Sequence, residues 1–151
     1  MRRALEQYLL DLAVVASSRC TCPKRSVGAV VANDRNIVVA TGYNGTPRGL
    51  PHCSDTCDCG GIHLSAPESY AVCLAVHAEA NALLAAGKDA VGGTLALTCA
   101  PCRDCAKLIV NAGIRKVIFY TGHRLFDAPD QKWSASKILD AGGVLWDMIS
   151  S

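Results

Sequence analysis

Charge of one sign is what this sequence lacks first. Its 15 lysines and arginines face 13 aspartates and glutamates, a net charge of +2. That imbalance is too small for a dedicated binder of polyanions; it leaves room for a few placed cations that hold one phosphate. Long apolar runs are missing too, and no stretch is long enough to span a bilayer. The opening "MRRALEQYLLDLAVVASSR" has the paired arginines and apolar residues of an export signal, but Glu6, Gln7 and Asp11 interrupt its apolar centre. Leu5, Tyr8, Leu9, Leu12 and Val15 follow helical spacing, so an amphipathic first helix is expected there. Internal repeats and linkers are absent as well. A chain of 151 residues with 50% hydrophobic content is therefore expected to form one domain, 1–151, around a core of its own.

Cysteine, by contrast, is abundant. Nine are present, and an odd number in a chain expected to be cytoplasmic points to metal binding before a disulfide scaffold. Three of them crowd into "TCAPCRDCAK", residues 98–107, where a disulfide, a redox pair or a metal compete as explanations.

The rest of the chain supplies the context. "VGAVVAND" and "NIVVATGY" are apolar, β-rich runs joined at Asn33-Asp34-Arg35-Asn36, which predicts a hairpin. "GTPRGLPHCSDTCDCGGIHLSAPES" then turns to Gly, Pro, Ser and Cys, and a loop of that length needs something to order it. Beyond Ala75 the pattern is regular. "VHAEANALLAAG" predicts a helix ended by Gly87, "GTLALTC" a strand, and "PCRDCAKLIVNAG" a helix with Pro near its start and Gly113 past its end. "RKVIFYT" predicts a strand, "WSASKILDAGG" a helix and "VLWDM" a last strand. Strands alternating with helices imply an α/β domain with crossover connections.

Cys102 and Cys105 lie three apart at the start of a predicted helix, so both sulfurs share a face. The helix N-terminus favours their thiolates, the forms that bind metal. Alone, Cys-x-x-Cys serves redox chemistry or zinc equally well. His77, in "HAE" at the start of the preceding helix, decides for metal. One His and two Cys supply three ligands and leave a fourth tetrahedral position open, as catalytic zinc sites do. Water in that position would ionise near pH ~7, and Glu79, two residues past His77, is placed to take its proton.

His77-Ala78-Glu79 with Pro101-Cys102-Arg103-Asp104-Cys105 resembles the H-x-E…P-C-x-x-C signature of zinc nucleobase deaminases. With "SVGAVV" (26–31), "TGYNGTPRG" (41–49), "HAEANA" (77–82) and "PCRDCAKLIVNAGI" (101–114), most of the chain resembles the deoxycytidylate (dCMP) deaminases of the cytidine/deoxycytidylate deaminase superfamily. The zinc motif is common to many deaminases, whereas the GYNGxPxG loop with CAKxIxNAGI is more particular to the dCMP group.

The resemblance implies a three-layer, cytidine-deaminase-like α/β fold with a mixed central sheet of about five strands flanked by helices. It implies zinc-dependent hydrolysis of dCMP to dUMP and ammonia, supplying dUMP for dTTP synthesis. His77, Cys102 and Cys105 would hold Zn2+. Glu79 would be the catalytic residue, carrying protons from water to N3 and to the leaving amine. The backbone around Ala78 and Cys102 would fix the base edge, Asn44 the deoxyribose, and Arg25, with Lys24 second, the phosphate. Tyr120 or Phe126 would cover the base, and Asn81 would pack the helix or support a ligand.

A second, structural zinc on Cys22, Cys53, Cys59 and Cys73, with Cys57 as the alternative to Cys59 and His52 and His63 nearby, would fold an insert at about 50–73. Cys20 and Cys99 would be spare thiols, Cys99 buried at a strand end. Dimers assembled into a homo-hexamer would carry dCTP and dTTP, with Mg2+, near Gly42, Tyr43, Gly45 and Arg48, the first activating and the second inhibiting. No membrane or nucleic-acid partner is expected. Two rival readings are a deaminase of another base (5-modified dCMP, free cytosine or tRNA adenosine) and a non-catalytic zinc module. The weak net charge speaks against a nucleic-acid substrate, and an intact Glu79 against a purely structural module.

Overall fold

A computed structural model describes residues 1–53, 72–120 and 132–150. Helix α1 spans Leu5–Ser17 and precedes strands β1 (Gly28–Ala32) and β2 (Val38–Tyr43). After them come α2 (Ala78–Ala86), a 3-10 turn (Gly87–Ala90), β3 (Thr94–Leu97) and α3 (Arg103–Asn111). The chain then forms β4 (Lys116–Tyr120), α4 (Ala135–Ala141) and β5 (Leu145–Ile149).

The strands make one mixed sheet in the order β2-β1-β3-β4-β5. β1 runs antiparallel to both β2 and β3, while β3, β4 and β5 are mutually parallel. The antiparallel edge follows from its short turn. The Asn33 side chain accepts the N–H groups of Arg35 and Ile37, both at 3.0 Å, and Asn36 takes the left-handed conformation that asparagine tolerates. The parallel part needs longer crossovers, which α3 and α4 supply.

Alternation along the inner strands divides the apolar side chains between two cores. Ala29 and Val31 of β1, Leu95 and Leu97 of β3, and Val117 and Phe119 of β4 pack with α2, α3 and α4. Val30, Ala32, Ala96 and Ile118 turn the other way, against Leu9, Leu10 and Ala13 of α1. The result is the three-layer arrangement that the resemblance implied. No helix among the described residues is long and apolar enough to cross a membrane.

The buried stripe of α1 differs from the expected one. Leu5, Tyr8 and Val15 are exposed, whereas Leu9, Leu10, Ala13 and Ala16 are buried. Small residues decide the matter. A Cβ added at Gly28 would stand 1.9 Å from the carbonyl oxygen of Ala13, so α1 rests almost backbone to backbone on the start of β1. A bulky side chain in that stripe would hold the helix off the sheet.

Candidate metal centre

Two helix starts converge on one point. Cys102 is the N-cap of α3, with extended backbone, and its Sγ accepts the N–H of Cys105 at 3.4 Å. A sulfur that accepts a main-chain N–H at the positive end of a helix is stabilised as thiolate. His77 is the N-cap of α2, again extended, and its side chain makes no capping bond to that helix. Its Nδ1 lies 3.5 Å from Cys102 Sγ and 3.4 Å from Cys105 Sγ.

These distances match the donor set of a tetrahedral zinc ion. Bonds of ~2.3 Å to sulfur and ~2.05 Å to nitrogen would separate the two atoms by about 3.5 Å. The three ligand atoms lie within 4.8 Å of one another, and among the described residues no other group of three or more potential ligands is so assembled. The residues fit zinc.

The electrostatics follow from this proximity. The Cys102 thiol is pushed down to about 4, first by a hydrogen bond from Cys105 and then by His77, against the opposing effect of burial. Cys105 moves in the opposite direction, raised by the proton it shares with Cys102 and by burial. His77 is raised by its hydrogen bond to Cys102, with desolvation opposing. Glu79, in the first turn of α2, is 4% exposed. Burial raises its carboxyl above the ordinary carboxylate range, and the nearby His77 charge offsets part of that rise.

The end of β2 locks α2 in place. A Cβ at Gly42 would lie 2.3 Å from the Ala78 carbonyl oxygen and 2.5 Å from the Ala82 nitrogen. What approaches this glycine closely is the backbone of α2, which is the reason for glycine here. Asn81 Nδ2 donates to the Tyr43 carbonyl at 2.8 Å and reaches the Val76 carbonyl at 3.4 Å. Gly45 and Val76 exchange main-chain bonds of 2.8 and 3.2 Å immediately before His77. Gly42, Tyr43 and Gly45 thus have packing duties towards the metal ligand, while Arg48 is exposed.

Asn44 is buried, and most of its amide is used by the chain itself. Its Oδ1 accepts the Val27 N–H at 2.8 Å and the Cys20 thiol at 2.9 Å, and its Nδ2 donates to the Arg25 carbonyl. Cys20 is therefore no spare thiol, a role that its sequence position alone did not disclose. Arg25 is half-buried and Lys24 exposed. The Arg25 charge lowers the proton affinity of Cys99, against the raising effect of burial and of the Glu79 and Cys102 charges.

Tyr120 does not face the centre. Its hydroxyl accepts a bond from Gln7 Nε2 at 2.8 Å, on the α1 side of the sheet. Phe126 lies outside the described residues, as do Cys57, Cys59 and His63. Cys22, Cys53 and Cys73 are all half-buried.

Fold and site together define a zinc-binding α/β domain with a buried carboxyl beside the ligands. The chain belongs to the family described as the cytidine and deoxycytidylate deaminase zinc-binding region, whose pattern matches residues 3–121. It is 41% identical over 127 residues to the deoxycytidylate deaminase of Saccharomyces cerevisiae, covering 83% of this chain and 40% of the yeast protein. It thus spans well under half the length of that relative. The deoxycytidylate deaminase of Mycobacterium phage D29 is 44% identical over 120 residues, covering 76% of this chain and 92% of the phage protein. Among solved structures, the dCMP deaminase of cyanophage S-TIM5 in complex with dCMP and dUMP superimposes with a TM-score of 0.75 at 27% identity, covering 99% of each chain.

Proposed function

We propose that this chain is a zinc-dependent hydrolase that converts dCMP and water to dUMP and ammonia. The observation that carries the reading is the buried Glu79, its carboxyl raised in proton affinity by burial, two residues past the ligand His77 of the His77, Cys102 and Cys105 donor set. The substrate is suggested by the relatives, named for action on deoxycytidylate, and by the cyanophage enzyme's complex with dCMP and dUMP.

His77 Nδ1 and the two sulfurs would hold zinc, which when bound would supply a water whose pKa is lowered to about 7. Glu79 performs the proton work. Its carboxylate takes a proton from the water, delivers one to N3 as oxygen adds to C4, and passes another to the departing amine. Burial suits it to both directions, because a carboxyl with raised proton affinity accepts readily and still releases to a basic amine. The backbone at Ala78 and Cys102 meets the edge of the base in this reading. Arg25 answers the phosphate, and the second amide hydrogen of Asn44 remains for the deoxyribose.

The wider assignments belong to the same proposal. Cys22, Cys53, Cys73 and Cys59 or Cys57 hold a second, structural zinc that orders the 50–73 insert of a single domain. The thiol ligands suit a reducing cytoplasm. The dUMP feeds dTTP synthesis, and dCTP and dTTP regulate a hexamer in opposite senses, with Mg2+ on the effector and Arg48 reaching its phosphates.

The test is ammonia release from dCMP, deoxycytidine, cytosine and 5-methyl-dCMP by wild type and Glu79→Gln, with zinc measured in each preparation. Wild type should prefer dCMP and carry about two zinc ions per chain. Glu79→Gln should keep its zinc and lose activity by about 10²-fold or more. Near-normal turnover by the variant removes Glu79 from the mechanism. One zinc ion in fully active protein removes the second site, and preference for another base removes dCMP.

A further inference from the structure

Residues 18–27 connect α1 to β1 and carry Arg25, with neither helix nor strand between Ser18 and Val27. Two side chains nevertheless hold this main chain. The Cys20 sulfur accepts the Cys22 N–H at 3.2 Å. Its proton has three oxygens within reach: Asn44 Oδ1 at 2.9 Å, the Arg25 carbonyl at 3.3 Å and the Cys22 carbonyl at 3.5 Å. A thiol has one proton, and the nearest oxygen takes it. Asn44 completes the arrangement by accepting from the Val27 N–H at 2.8 Å and donating to the Arg25 carbonyl. Main-chain groups before, at and after Arg25 thus all end on Cys20 or Asn44.

We infer that Cys20 is a positioning residue, whose thiol and the Asn44 amide together shape the loop that presents Arg25 to a nucleotide phosphate. The inference rests on the proposed function for the phosphate, and on the hydrogen bonds alone for the loop. An aliphatic residue at position 20 leaves the Cys22 N–H and one bond to Asn44 Oδ1 without a partner. A hydroxyl restores both a donor and an acceptor.

The experiment compares zinc-loaded wild type, Cys20→Ala and Cys20→Ser on dCMP and on deoxycytidine, which lacks the phosphate. Cys20→Ala should raise KM for dCMP about tenfold, the scale of one lost charge-assisted bond, with kcat and the KM for deoxycytidine unchanged. Cys20→Ser should behave as wild type. An equal loss on both substrates, no loss, or loss of zinc from Cys20→Ala overturns the inference, the last because the effect would then run through Cys22. Hydrogen exchange in the same three proteins decides the loop's part independently of substrate. Faster exchange at the Cys22 and Val27 amides in Cys20→Ala, restored in Cys20→Ser, is expected, and unchanged exchange overturns it. Wild type that turns over neither compound would refute the dCMP reading while leaving the exchange result to decide the role of Cys20.

Discussion

Cys99 sits 6% exposed at the end of β3, and its surroundings work against ionisation. Burial first, then the negative charges of Glu79 and Cys102, push its thiol from an ordinary value of 9.0 up to about 12, with Arg25 opposing. The unfolded chain loses this proton at lower pH than the folded one, so between those values the folded state binds more protons. Its contribution to stability is complete below about pH 8.5 and is lost as pH rises towards 12. Urea midpoints of wild type should fall between pH 8 and 10 by more than those of Cys99→Ala. Parallel curves for the two proteins would show that this thiol is not the source. The sequence made the burial of Cys99 legible, because it ends an apolar strand. The use of Cys20 was not legible, since Asn44, its partner, is 24 residues away and only the folded chain brings the two together.

At the scale of elements, the contact between β2 and α2 sets the position of His77 and Glu79. Gly42→Ala would thrust a methyl into the first turn of α2, against backbone atoms that cannot swing aside. A cost of about 1–3 kcal/mol is expected, as for other overpacked sites. The variant should unfold at lower temperature and surrender zinc to a chelator more readily than wild type. A normal melting temperature with normal zinc retention would mean that β2 yields without moving α2. Element positions were readable from periodicity and caps, and the zinc donors from short motifs at two helix starts. Faces were harder to read. Tyr120 shares strand parity with Ile118, and both turn towards α1. The stripe that α1 buries was chosen by the close approach of Ala13 to Gly28, a contact between segments that hydrophobic spacing along one helix does not encode.

Across the whole molecule, the proposed effectors require that oligomer and loop act together. Initial rates should depend sigmoidally on dCMP, become hyperbolic with dCTP and magnesium, and be depressed by dTTP, since an effector acts only by binding one state more tightly. Light scattering under the same conditions should report a hexamer. Hyperbolic kinetics indifferent to both nucleotides, in an intact hexamer, would confine residues 42–49 to shaping the site. The sheet was predictable as a class, because alternating helices and strands permit few arrangements. The partners of individual loop residues were not, because they depend on which distant segments the sheet order sets side by side.

That order places a seam between β1 and β3, where the antiparallel half of the sheet meets the parallel half. All three zinc donors and Glu79 come from the chain beyond residue 76, whereas Arg25, Asn44 and Cys20 come from the part before residue 50. On the proposed reading, the later part of the chain activates water and the earlier part selects what the water attacks, and the two meet where α2 packs on β2. A laboratory library confined to residues 18–49, with Gly42, Tyr43 and Gly45 held fixed because they pack against the helix that carries Glu79, samples new substrates while sparing the catalyst.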